Sequence, residues 1–152
     1  MLHITLREGE KVVINGAVLR STGRAEIVVE NAAAILRGRD VMSPAEANTP
    51  ARRLYFACMM AYLDPANLTQ YQGRILSLFE DLVEAVEAPE AKAHCVSFAR
   101  SVAYCDFYRA LNDCRALIAY ETQALARLAP DETAETIKVT ELTVASQTAN
   151  AA

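Results

Sequence analysis

Tryptophan is absent from this chain of 152 residues, and glycine, proline and histidine are scarce, at five, five and two. The five glycines form no glycine-rich phosphate loop and no Gly-x-Ser-x-Gly elbow, and the two histidines, His3 and His94, stand too far apart for His-Glu-x-x-His. The four cysteines, Cys58, Cys95, Cys105 and Cys114, include no Cys-x-x-Cys pair. That spacing points away from zinc ribbons and from the frameworks of small secreted domains. Cys58 and Cys114 fall in apolar helical stretches and read as small hydrophobic fillers. No apolar run approaches the roughly 18 residues that span a bilayer. The opening Met1–Glu8 lacks the charged head and apolar stretch of a signal peptide, so a cytoplasmic address is expected. With no converging catalytic groups, the chain reads as a binding and regulatory protein rather than an enzyme, with no cofactor and no metal.

Charge is present but unevenly spread. Residues 1–63 hold eight Lys/Arg against six Asp/Glu, and residues 64–152 hold seven against thirteen, within a total of −4. Such asymmetry suggests different partners for the two halves.

The fold expected is α+β: a small antiparallel β region over 1–48, a helical region packed on it over 49–129, and a flexible tail over 130–152. Leu2, Ile4 and Leu6 alternate with polar residues, the period of a half-buried strand. Strands are also expected at Lys11–Ile14, Ala17–Arg20, Ala25–Val29 and Ala33–Arg37. Asn15-Gly16 supplies the positive φ angles of a tight hairpin. Joined by hairpins, these strands would make a meander or small barrel. An exposed edge in it would support a homo-oligomer.

Residues Gly38–Asn48 read as a loop, with a helical turn at Ser43-Pro44-Ala45-Glu46. Thr49-Pro50 is a helix start, the threonine as N-cap and the proline at the first helical position. That helix should end before Asp64-Pro65. A second helix is expected over Ala66–Glu87, with Leu68, Tyr71, Ile75, Phe79, Leu82 and Val86 forming one apolar stripe. Its carboxylates Glu80, Asp81, Glu84 and Glu87 read as a solvated face. A third helix should run from Pro89 to Ser101 and a fourth from Ala103 to Leu128, completing an antiparallel bundle. Beyond Pro130 helical periodicity fades; Ile137–Val144 has the composition of an edge strand, but a loose tail is expected.

The most suggestive feature is the set of arginines in the first half. Arg20 and Arg24 flank a turn, Arg37 and Arg39 close the last strand, and Arg52-Arg53 open the first helix. With Tyr55 and Phe56 nearby, Arg37, Arg39, Arg52 and Arg53 are candidates to hold phosphates while the rings stack on unpaired bases. Cations at a helix start are mildly unfavourable, so Arg52 and Arg53 invite a carboxylate partner, Asp40 or Glu46.

The strings Asn15-Gly16-Ala17-Val18, Leu36-Arg37 through Asp40-Val41-Met42, and Thr49-Pro50-Ala51-Arg52-Arg53-Leu54-Tyr55-Phe56 resemble the FlbT family. Met59–Asp64, Tyr108–Leu111 and Leu117–Glu121 extend the resemblance, which covers about residues 2–125. It implies a post-transcriptional regulator of flagellin synthesis during flagellum assembly. Its partner would be the 5′ untranslated leader of flagellin messenger RNA, with translation or decay as the controlled step. The sign of regulation stays open. The alternative is an interaction module or chaperone-like partner of flagellin or another flagellar assembly regulator, whose paired helices offer an apolar groove and whose RNA effects are indirect.

Overall fold

A computed structural model describes residues 1–150, with side chains described through Leu128. The tail expected over 130–152, with its candidate strand, is described no further than the backbone of the last helix, which runs to Asn150. Five short strands come first: β1 (Leu2–Leu6), β2 (Lys11–Ile14), β3 (Ala17–Arg20), β4 (Ala25–Val29) and β5 (Ile35–Arg37). Four helices follow: α1 (Pro50–Leu63), α2 (Leu68–Ala85), α3 (Pro89–Ala103) and α4 (Phe107–Asn150). The chain divides into two compact units, Met1–Leu117 and Ile118–Ala152, and all that follows concerns the first.

The α+β class is as expected, and all five strands form, but they do not make a meander. Only β2 and β3 join as a hairpin, through Asn15 (φ 48°) and Gly16 (φ 84°). β1 pairs instead with β4, antiparallel from Leu2 opposite Val29 to Leu6 opposite Ala25. β5 pairs antiparallel on the other side of β2, giving a three-stranded sheet in the order β3-β2-β5. The physical reason lies in which side chains need cover. Ile4, Leu6 and Val12 are buried together, and Ile14, Ile27, Val29 and Ile35 pack against them. The apolar rows of both sheets therefore close on one another, which a single flat sheet of this size cannot achieve.

The three-stranded sheet has a second buried row. Val13 and Leu36, paired in register, are 4% and 1% exposed. Tyr62 of α1 anchors this sheet: its hydroxyl accepts from the Ile35 N–H at 2.9 Å and donates to the Ile35 carbonyl at 3.1 Å. Those two bonds satisfy backbone groups on the free edge of β5, which would otherwise invite another strand.

α1 starts where Thr49 accepts from the Arg52 N–H through its side chain, with Pro50 at the first position. Seven of its residues are buried, among them Ala51, Leu54, Tyr55 and Cys58. α2 buries Ile75 and Leu82 from the expected stripe, while Glu80, Asp81, Glu84 and Glu87 stay exposed. The Phe79 and Phe98 rings meet at 5.0 Å, joining α2 to α3. The α3–α4 boundary falls later than expected. α3 runs on to Ala103, Cys105 adopts φ 56°, and Asp106 caps α4 by accepting from the Arg109 N–H at 3.1 Å. A cysteine in the left-handed region is unusual, because Cβ crowds the backbone there. Glycine or asparagine would have marked this helix end in the sequence.

Candidate nucleic-acid interface

The expected site residues fall in three places. Arg37 and Arg39 line an open cleft of ≈950 Å³, together with Thr5, Arg7, Glu8, Gly9, Glu10 and Arg24. Arg7 follows β1, Arg24 precedes β4, Arg37 ends β5, and Arg39 lies in the 3₁₀ turn Gly38–Asp40. Four arginines and two glutamates thus line one space. Gly38 allows the tight exit from β5: a Cβ there would meet the Lys11 carbonyl oxygen at 2.9 Å and Lys11 Cβ at 3.0 Å.

One of the carboxylates is partly committed. Glu10 accepts from the Arg7 N–H at 2.9 Å and pairs with Arg37 at 3.3 Å. The Arg7 backbone bond first, and then the charge of Arg37, hold the Glu10 carboxyl below its usual range. Arg39 is 79% exposed, its nearest carboxylate being Asp40 at 3.9 Å.

Arg37 and Arg39 also border a smaller cavity of ≈380 Å³ that reaches His3, Tyr62 and Tyr108. The Tyr62 and Tyr108 rings stand 5.8 Å apart, tilted by 51°, and Tyr108 is half exposed. A half-exposed ring beside the exposed Arg39 guanidinium is the pairing that single-stranded nucleic acid uses, charge for phosphate and a π face for a base.

Tyr55 is elsewhere, and its stacking role is corrected. It is 4% exposed, with its hydroxyl donating to the Asp40 carbonyl at 2.5 Å and accepting from Arg115 at 3.3 Å. The Arg115 guanidinium lies 5.7 Å from the Tyr55 ring centre and pairs with the Asp40 carboxylate at 3.1 Å. Burial first, opposed by Arg115, pushes the Tyr55 hydroxyl above its ordinary range. Such a ring holds the Gly38–Asp40 turn in place and offers no face to a base.

Arg52, Arg53 and Phe56 form the third group. None of them lines the arginine cleft. Of the carboxylates expected to pair with Arg52 and Arg53, Asp40 is paired with Arg115, and Glu46 accepts the Ser43 N–H at 2.7 Å in a capping box, its carboxyl lowered first by Ser43 and last by the charge of Arg52. Arg52 instead reaches Asn48 at 3.5 Å, and Arg53 is exposed.

Arg7, Tyr62 and Tyr108 were not among the candidates from sequence. The β1–β4 pairing that delivers Arg7 and Arg24 to the cleft leaves no local signature. The two tyrosines occur at ordinary helical spacings. Among the described residues, no group of three His, Cys, Asp or Glu could hold a metal ion.

The FlbT family, described as "Flagellar protein FlbT", matches residues 2–125. The "Probable flagellum biosynthesis repressor protein FlbT" of Caulobacter sp. (strain K31) is 38% identical over 128 residues, covering 84% of this chain and 98% of that protein. The "Flagellum biosynthesis repressor protein FlbT" of Caulobacter vibrioides (strain ATCC 19089 / CIP 103742 / CB 15) is 34% identical over 128 residues, 84% of this chain and 91% of that one. A Bradyrhizobium diazoefficiens relative with a "Probable flagellum biosynthesis repressor protein FlbT 1" designation is 35% identical over 122 residues, covering 79% and 82%. No solved structure matches.

Proposed function

Since this chain belongs to the FlbT family, we propose that it represses flagellum biosynthesis by binding the 5′ untranslated leader of a flagellin messenger RNA. The observation that carries the RNA reading is the convergence of Arg7, Arg24, Arg37 and Arg39 on one cleft, with the Tyr62–Tyr108 pair at its neighbouring cavity. Guanidiniums bind phosphates bidentately, and a half-exposed tyrosine face accepts any base. The cleft fits unpaired RNA because the deep, narrow major groove of an A-form duplex excludes such side chains. No catalytic step is needed for this role: occupying a leader blocks its use or exposes it to decay.

The test is binding of the purified chain to a flagellin leader and to a shuffled control across a salt series. Selective binding that weakens steeply with salt is expected. An Arg24→Ala/Arg39→Ala variant should bind more weakly, with a salt slope reduced by about one per arginine lost. Equal affinity for leader and control would remove direct recognition from this function.

A further inference from the structure

The outer side of α1, next to α2, carries an open groove of ≈410 Å³. Phe56, Ala57 and Met60 line it from α1, and Gln70, Tyr71 and Arg74 from α2. Helical period places Arg53, Phe56, Ala57 and Met60 on one stripe, at intervals of three, four and seven. Exposed Arg53 therefore continues the groove by one turn toward the start of α1. Phe56 and Met60 are half-buried, so their apolar surface is incompletely covered within the chain.

The wall on the α2 side is held firmly. The Tyr71 hydroxyl donates to the Asp64 carboxylate at 3.1 Å, and the same oxygen accepts from Asn67 at 2.9 Å. That engages the carboxylate of the α1–α2 turn and leaves exposed Arg53 and Arg74 to set the charge of the rim. The floor is apolar and includes a flexible thioether, which adapts to different side-chain shapes. A channel between two helices with an apolar floor and a cationic rim matches a helix in which one face is apolar and the flanks are acidic. A phosphate chain would need several cations along the groove, where Arg74 is the lone cation in a lining that otherwise holds Phe56, Ala57, Met60, Gln70 and Tyr71.

We propose that the α1–α2 groove docks an acidic amphipathic helix of a partner protein. A large apolar side chain of that helix seats on Phe56 and Met60, and its carboxylates face Arg53 and Arg74. The surface is separate from the arginine cleft, so the chain can hold RNA and this partner on different faces.

Fluorescence anisotropy with the full chain tests this. The probes are two labelled helical peptides of about four turns, with the same Leu/Phe stripe and either Glu or Lys at the flanking positions, and a single-stranded RNA oligonucleotide as competitor. The Glu peptide should bind about tenfold more tightly than the Lys peptide. Phe56→Ala should weaken it about tenfold, and the surface change Arg74→Glu should reverse the preference, with circular dichroism reporting that both variants fold. Absence of binding by either peptide, equal binding of the two, or an unaltered preference in Arg74→Glu overturns the proposal. Displacement of the Glu peptide by RNA also overturns it and gives the groove to nucleic acid.

Discussion

Arg115 of α4 reaches the Asp40 carboxylate at 3.1 Å, and the Asp40 carbonyl accepts the Tyr55 hydroxyl. Three segments distant in sequence are tied by this one residue, whose side chain is 26% exposed. Tyr55→Phe should therefore lower stability by about 1–2 kcal/mol, the cost of leaving a shielded carbonyl without its donor. Asp40→Ala should cost about 2–3 kcal/mol by also stripping Arg115 of its charged partner. Urea unfolding of both single variants and the double variant is the measurement. Their effects should not add, because the two share Arg115.

Glu10 couples the arginine cleft to acid. Its carboxyl is held below the usual glutamate range, mainly by the Arg7 N–H and then by Arg37. A depressed carboxylate contributes stability above its unfolded value and loses it as pH falls through the folded one. The bond network around Arg7 and Arg37 should thus hold at neutral pH and come apart only in acid, as pH falls through the lowered value of Glu10. A carbon-13 NMR titration of the Glu10 carboxyl gives the midpoint. Glu10→Gln should release Arg37 and tighten RNA binding at neutral pH; unchanged affinity would mean Arg37 does not meet phosphate.

Tyr108 should act by stacking rather than charge. Tyr108→Ala is expected to cost about 1–3 kcal/mol of RNA affinity while leaving the salt slope unaltered, and Tyr108→Phe should restore binding. A slope that falls with Tyr108→Ala would place its effect on the nearby arginines instead.

Much of the fold was legible from local signals. Alternation located β1, Asn15-Gly16 located the hairpin, and Thr49-Pro50 with Asp64-Pro65 bracketed α1 as found. The pairing of β1 with β4 was not legible, because any apolar strand can cover any other and the choice depends on the closed core. The site suffered from the same blindness. Arg37 and Arg39 were readable as neighbours, whereas Arg7 joins them only through that long-range pairing. Tyr55 misled for a related reason: sequence displays an aromatic beside arginines but conceals the burial that Asp40 and Arg115 impose on it.

Cys105 offers a test of the α3–α4 turn. With φ at 56°, Cys105→Gly should raise stability by about 1 kcal/mol by removing the Cβ clash, in excess of the entropy that glycine gains when unfolded. It is also the one exposed thiol, since Cys58, Cys95 and Cys114 are buried. Burial pushes the Cys95 and Cys114 thiols up. A thiol reagent should label one equivalent quickly in the native chain and the rest only on unfolding, and Cys105→Gly should abolish the fast phase.

The pairing of Leu2 with Val29 also sets an order of events during synthesis. The β2–β3 hairpin closes locally, on a timescale of about 1–10 μs, whereas β1 must wait for β4 to leave the ribosome. Arg7 and Arg24 come from the late-closing pair, and Arg37 and Arg39 lie farther still along the chain. The arginine cleft is thus among the last features of the sheet region to assemble. A nascent chain carries no finished RNA surface until Arg39 has left the ribosome, and an insertion between β1 and β4 prolongs the interval in which the polypeptide exists without its grip.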